Sequence, residues 1–231
     1  MQWYEDNVRT TRILSELERY ERVTKMPKLD LYESIRPQVK TSDDIIWQSN
    51  SFVGEAIQWW CSSKYNHVSK VVRFSEFDVE RVYIMEELGH GATLLPLSKR
   101  LAEHDGHVWL FPLDSKLNPI RRSMAAWMLM KLGTPYDYRG LISNLAGRIF
   151  TDAKDMICSE YSWMAFEYGA GIERDEKFLP QYLDCTKPVQ VVAQLIHKKV
   201  EDELGKGKVP RPSDWTLLQD VGMYMKEREI L

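Results

Sequence analysis

Cysteine is scarce in this chain of 231 residues: Cys61, Cys158 and Cys185 are an odd number at wide spacing. That excludes a disulfide framework and a CxxC zinc pattern, and it fits a reducing compartment in which a thiol stays free for chemistry. No segment approaches the roughly 18 consecutive apolar residues of a membrane helix. The opening MQWYEDNVRTTR lacks the short apolar run of a secretory signal, so a cytoplasmic location is expected. Charge of one sign is missing as well. Thirty-one basic and 34 acidic residues give a formal net charge of -3, which argues against a nucleic-acid partner. The densest basic stretch, GKGKVPR at 205–211, reads as a solvated loop. There is no GxSxG elbow for a serine hydrolase and no GxxxxGK[ST] loop, and GHGATL at 89–94 lacks the third glycine of a dinucleotide fingerprint. His104-Asp105-Gly106-His107, with His90 upstream, has no accompanying cysteine or HExxH helix and reads as loop histidines. Neither a metal nor an organic cofactor is expected.

What is present is an ordinary globular balance, 44% hydrophobic and 28% charged. Residues 3–25 set Tyr4, Val8, Leu14, Leu17 and Tyr20 on one stripe among charges, which predicts an amphipathic helix ended by Met26-Pro27. A second short helix is expected to run to Arg36, before Pro37. Residues 44–49, 67–74, 81–88, 91–97 and 107–113 are β-branched, alternating or short apolar runs and predict strands. A helix is expected at 52–61 and a short charged one at 98–104. The second half predicts helices at 118–133, 139–150 and 158–169, with Pro119 near the first turn of one, and Gly133 and Gly169 as terminators. Strands followed by packed helices give an α+β class: a small antiparallel sheet packed against helices. Residues 170–231 are mixed and yield no firm elements. Trp59, Trp60, Trp127, Met128 and Met130 read as core more readily than as a binding box.

Cys158 stands where a loop hands over to the helix CSEYSWMAFEYG. The first N–H groups of a helix lack intrahelical partners and carry the positive end of its dipole. A thiol there is shifted towards thiolate, and the same N–H groups can hold an oxyanion. The alternative is a buried, inert cysteine. His67 opens a predicted strand, a rigid place from which a ring can reach a cleft; a surface histidine at a turn is the alternative. Glu86, on the neighbouring strand, can orient the imidazole if the strands pair so that the faces of Glu86 and His67 match. Glu87 then points to the opposite face.

The series TSDDIIWQS (41–49), SKYNHVSKVV (63–72), VYIMEEL (82–88), LLPLSKRL (94–101), LGTPYDYRGL (132–141) and ICSEYSWMAFEYG (157–169) resembles the permuted NlpC-type cysteine peptidases, in their YiiX-like branch. That family runs Gly-Asp-Ile-Ile, then Ser-His, then a strand Glu, then Gly-x-Pro-Tyr-Asp-Tyr, then Cys-Ser-Glu. The resemblance spans about 41–169, with PRPSDW (210–215) against a terminal Pro-rich segment. Asp43 replaces the usual glycine and Asn66 the usual serine.

The resemblance implies a circularly permuted papain-like fold over residues 41–231, with 1–40 as an added N-terminal helical extension. It implies Cys158 as nucleophile, His67 as base, Glu86 as orienter and Tyr136 beside the nucleophile, shaping the cleft or donating to an oxyanion. The activity implied is hydrolysis of an amide or ester bond through a thioester, on a peptide, a peptidoglycan fragment or an acyl lipid. Acyl transfer stays open, because the two differ only in what attacks the thioester. A non-catalytic binding or virion-associated module that kept the fold is the remaining alternative.

Overall fold

The computed structural model describes residues 28–50, 55, 58–59, 63–76, 79–88, 91–134, 158–173 and 186–231. The expected helices at 3–25 and 139–150, and Tyr136, Trp60, His90, Cys61 and Cys185, lie outside the described residues, as does most of the expected helix at 52–61.

The described elements run in this order: α1 (Leu29–Ile35), β1 (Asp44–Trp47), β2 (His67–Glu76), β3 (Val79–Leu88), β4 (Gly91–Pro96), α2 (Leu97–Glu103), β5 (Val108–Phe111), α3 (Arg121–Met130), α4 (Cys158–Gly169), α5 (Lys187–Leu204), α6 (Trp215–Asp220) and β6 (Arg228–Glu229). The six strands form one sheet in the order β4-β3-β2-β1-β5-β6, and every pairing is antiparallel. The chain is therefore α+β. β1 lies inside the sheet, and all four of its residues are buried, which is why DIIW reads as a run and not as an alternation.

Alternation along the strands divides the core into two. Ile46, Val68, Val72, Met85, Trp109 and Phe111 meet Met124, Trp127, Met128, Tyr161 and Phe166 of α3 and α4. On the other face, Ile45, Trp47, Val71, Ile84, Val108 and Leu110 meet Tyr32 and Ile35 of α1 and Leu97 and Leu101 of α2. Helices thus cover both faces of the sheet.

A buried polar joint ties these layers together. Lys70 and Asp44 are register partners across β1 and β2, and both side chains are fully buried with 2.5 Å between Nζ and Oδ1. The Asp44 carboxylate also accepts from Ser162 Oγ of α4 at 3.0 Å, from Trp215 Nε1 of α6 at 2.9 Å and from the Tyr224 hydroxyl. Burial lowers the Lys70 pKa against the pull of Asp44. Beside it, Asp43 binds Arg121 at 2.6 Å and accepts the Leu113 amide at 2.9 Å.

Several boundaries differ from the sequence reading. Residues 115–120 form a 3-10 turn that contains Pro119, and α3 begins only at Arg121. Gly133 has a φ of 83° and does end its helix region. Gly169 is not a left-handed cap. A Cβ there would lie 2.7 Å from Met124 Cγ and from the Met124 amide nitrogen, so the glycine lets α4 approach α3 closely. The left-handed residue is Gly171, with a φ of 68°.

Two expectations follow. Asp44→Asn leaves Lys70 buried without its counter-charge and should cost about 3–5 kcal/mol in urea denaturation, while Asp44→Asn combined with Lys70→Met should recover part of that loss. A loss below about 1 kcal/mol would show that the joint is not structural. Gly169→Ala should lower stability by about 1–3 kcal/mol through overpacking against Met124, measured in the same way.

Candidate active site

Helix α4 begins at Cys158 and packs on the face of the sheet that carries Lys70. Its first turns are pinned in two ways: Ser162, one turn after Cys158, donates to Asp44, and the Tyr161 hydroxyl donates to the Met128 carbonyl at 2.6 Å. Cys158 is 8% exposed and carries a free thiol.

His67 is the first residue of β2, opposite Trp47. Its predecessor fixes it there. The Asn66 side-chain amide donates to the Ser49 carbonyl at 2.9 Å and accepts the Ser49 amide at 3.0 Å, and the Asn66 backbone amide donates to the Trp47 carbonyl. A side chain thereby continues the β1–β2 ladder by one step past its last strand pair. Glu86 is opposite Ser69 on β3, which puts it on the same face as His67, and Glu87 falls on the other face, as alternation requires.

The three groups meet at the start of β2. His67 Nε2 is 2.6 Å from Glu86 Oε2, and the imidazole also hydrogen-bonds the Cys158 thiol. With Nε2 engaged by the carboxylate, Nδ1 is the ring nitrogen left for sulfur. The backbone amides of Val68 and Ser159 donate to the same sulfur. On its far side, Glu86 accepts from Arg100 Nε of α2 at 3.1 Å.

The electrostatics follow from this line of contacts. Burial opposes a charged ring at His67, but the thiolate and the Glu86 carboxylate outweigh it, and the pKa is pushed up to about 9. Burial likewise opposes a thiolate at Cys158, yet the imidazolium and the two backbone donors hold the thiol below its ordinary range. Burial would raise Glu86, and His67 and Arg100 overcome it to keep the carboxyl low. The arrangement favours a thiolate–imidazolium pair backed by a buried anion.

The structure brings together Cys158, His67 and Glu86. Tyr136 lies outside the described residues. Trp59 is 84% exposed and Met130, at the end of α3, is exposed as well, so neither is core, whereas Trp127 and Met128 are buried as expected. His107 pairs with Glu229 at 2.5 Å, and His104 stacks edge-on against Trp47. Sequence reasoning missed Arg100, which in the helix LSKRLAE is only one of two adjacent basic residues. It also missed the clamp role of Asn66, which the asparagine immediately before a strand histidine could have suggested.

No protein-family model matches the chain, and no curated protein matches it. Among solved structures it is similar to the crystal structure of metalloprotein yiiX from Escherichia coli O157:H7, with 21% identity, a TM-score of 0.52, and coverage of 84% of this chain and 97% of that one. At that identity the likeness concerns the fold alone: the chain has an α+β, YiiX-like architecture.

Proposed function

We propose that the protein is a cysteine-nucleophile hydrolase that cleaves an amide or ester bond through a thioester acyl-enzyme, on a permuted papain-like variant of the YiiX-like fold. The observation that carries this reading is the continuous hydrogen-bonded line of thiol, imidazole and buried carboxylate at a helix N-terminus. In the order of the chain the base precedes the nucleophile, the reverse of a papain-type chain, which favours the permuted description. All the proposed site residues fall in 41–231, the proposed hydrolase domain, with 1–40 as its extension.

The Cys158 thiolate attacks the carbonyl carbon, and the carbonyl π electrons move onto oxygen. Backbone amides at the start of α4 face that developing charge. Collapse of the intermediate expels the leaving group, which takes the His67 proton and leaves a thioester on Cys158. His67, now neutral, takes a proton from water as that water attacks the thioester, and the thiolate–imidazolium pair is restored. Glu86 keeps the ring oriented and compensates its charge throughout. The proposed substrates are peptides, peptidoglycan-type amides or acyl lipids. Tyr136 is the proposed additional cleft residue.

The similar solved structure is that of a metalloprotein, and Cys158, His67 and Glu86 are all residue types that ligate metals. Glu86 and the Cys158 sulfur bind different nitrogens of one imidazole, so the ring separates them and they do not converge on a common point. Among the described residues no group of three or more His, Cys, Asp or Glu side chains is placed to hold a metal ion. The described residues do not fit such a centre.

The test is iodoacetamide alkylation of each cysteine across pH 5–9, followed by peptide mass spectrometry. Cys158 should react well below the usual thiol range near pH 8.5, and His67→Ala should remove that advantage. A Cys158 rate equal to that of Cys61 and Cys185 would overturn the reading in favour of a binding module. With an activated acyl ester, intact mass should show an adduct on Cys158 that Cys158→Ala abolishes, and His67→Ala should slow turnover by about 10²–10⁴-fold. The pH dependence has a defined sign. His67 must be protonated to serve as the acid, so acylation of unactivated substrates should fall as pH rises through about 9.

A further inference from the structure

We propose that Arg100 is a positioning residue of this site, acting through Glu86 to keep that carboxylate aimed at the His67 ring; the inference rests on the reading of Cys158, His67 and Glu86 given above. Glu86 is fully buried, so both of its oxygens need donors from the protein. Oε2 is taken by His67 Nε2 at 2.6 Å and Oε1 by Arg100 Nε at 3.1 Å. The carboxylate is therefore held at both ends and has one orientation that satisfies it.

Arg100 is itself held. Its guanidinium lies 4.6 Å over the ring of Trp47, and the Trp47 indole donates to Ser69 Oγ at 2.6 Å. Trp47 is the register partner of His67, and Ser69 is that of Glu86. The platform under the guanidinium thus belongs to the same two strand positions that set the base and the carboxylate. Helix α2, which carries Arg100, is anchored on that face by buried Leu97 and Leu101. The Arg100 side chain is 20% exposed, so its contact with Glu86 is only partly screened.

The groups involved can be named element by element. Glu86 faces His67 from β2 and Arg100 from α2. His67 faces Cys158 from α4 as well as Glu86. Arg100 also faces His104 at the end of its own helix. Without Arg100, Oε1 loses its donor, and Glu86 can protonate or turn away. Nε2–H of His67 then loses a fixed anionic acceptor, and the imidazolium that stabilises the thiolate is weakened. A lysine at 100 would keep the charge but neither the planar stack on Trp47 nor the geometry of Nε.

The experiment follows Cys158 alkylation by iodoacetamide from pH 5 to pH 9 in the full-length protein. It compares the unaltered chain with Arg100→Met, Arg100→Lys, Glu86→Gln and the Arg100→Met/Glu86→Gln double variant. Arg100→Met should slow Cys158 about tenfold at pH 6, equivalent to about 1.4 kcal/mol, and the deficit should shrink towards pH 9, where the thiolate forms without help. Arg100→Lys should recover only part of the rate, and it decides the matter if Arg100→Met does not fold. Because Arg100 acts through Glu86, the double variant should be no slower than Glu86→Gln alone. A profile for the Arg100 variants that superimposes on a fast unaltered protein overturns this inference and leaves the proposed function standing. Equal slowing by Arg100→Met with and without Glu86 also overturns it. An unaltered protein whose Cys158 is no faster than free cysteine overturns both.

Discussion

The Asp44 carboxylate is the point on which the architecture turns. Four donors from four parts of the chain converge on it: Lys70 on the adjacent strand, Ser162 on α4, Trp215 on α6, and Tyr224 near β6. A charge with no solvent around it is tolerated only when its lone pairs are filled and a counter-charge is close. Both conditions are met here, and neither can be met by local structure. The joint therefore fixes relations between layers: β1 against β2, the sheet against α4, and the C-terminal elements against both. Ser162 is one helical turn from Cys158, so the same carboxylate sets where the thiol stands.

The site uses this frame economically. The sulfur belongs to a helix on one face of the sheet, while the imidazole and its carboxylate occupy strand positions whose register puts them on the other. They meet where β2 begins, and the Val68 amide there adds a donor to the sulfur. Burial alone would discourage charge on Cys158, His67 and Glu86. Charge on these three is favoured because each has a neighbour of opposite sign, His67 for Cys158, Glu86 for His67, and His67 and Arg100 for Glu86. Such a row is stable as a whole and fragile at any member.

Much of this was legible in the order of residues. The alternation in HVSKVV and VYIMEEL gave the strands and put Glu86 and Glu87 on opposite faces, while the register that sets Glu86 opposite Ser69 decided which of them shares the face of His67. The helix at 158–169 followed from its apolar spacing, with Gly169 as the expected end. Other features were hidden for definite physical reasons. Lys70 reads as a solvent-facing strand residue until Asp44 is found opposite it, and α5 lies in the region that gave no firm elements, although Val191 and Leu195 on its outer face are simply left exposed. Gly169 looks like a cap because glycine commonly ends helices, whereas here it makes room for Met124. Arg100 depends on two long-range contacts, to β3 and to Trp47, which no window of local sequence contains.

The spread of the Asp44 donors along the chain bears on how the protein comes into being at the ribosome. Synthesis delivers residue 44 first, then 70, then 162, and Trp215 and Tyr224 last. Until that last stretch has emerged and docked, the carboxylate that holds Ser162 of α4 lacks two of its four donors and cannot be closed off from water. A nascent chain that already contains Cys158 and His67 thus holds them in a loosened frame. The buried joint that sets Cys158 against the sheet is complete only when the final donors arrive.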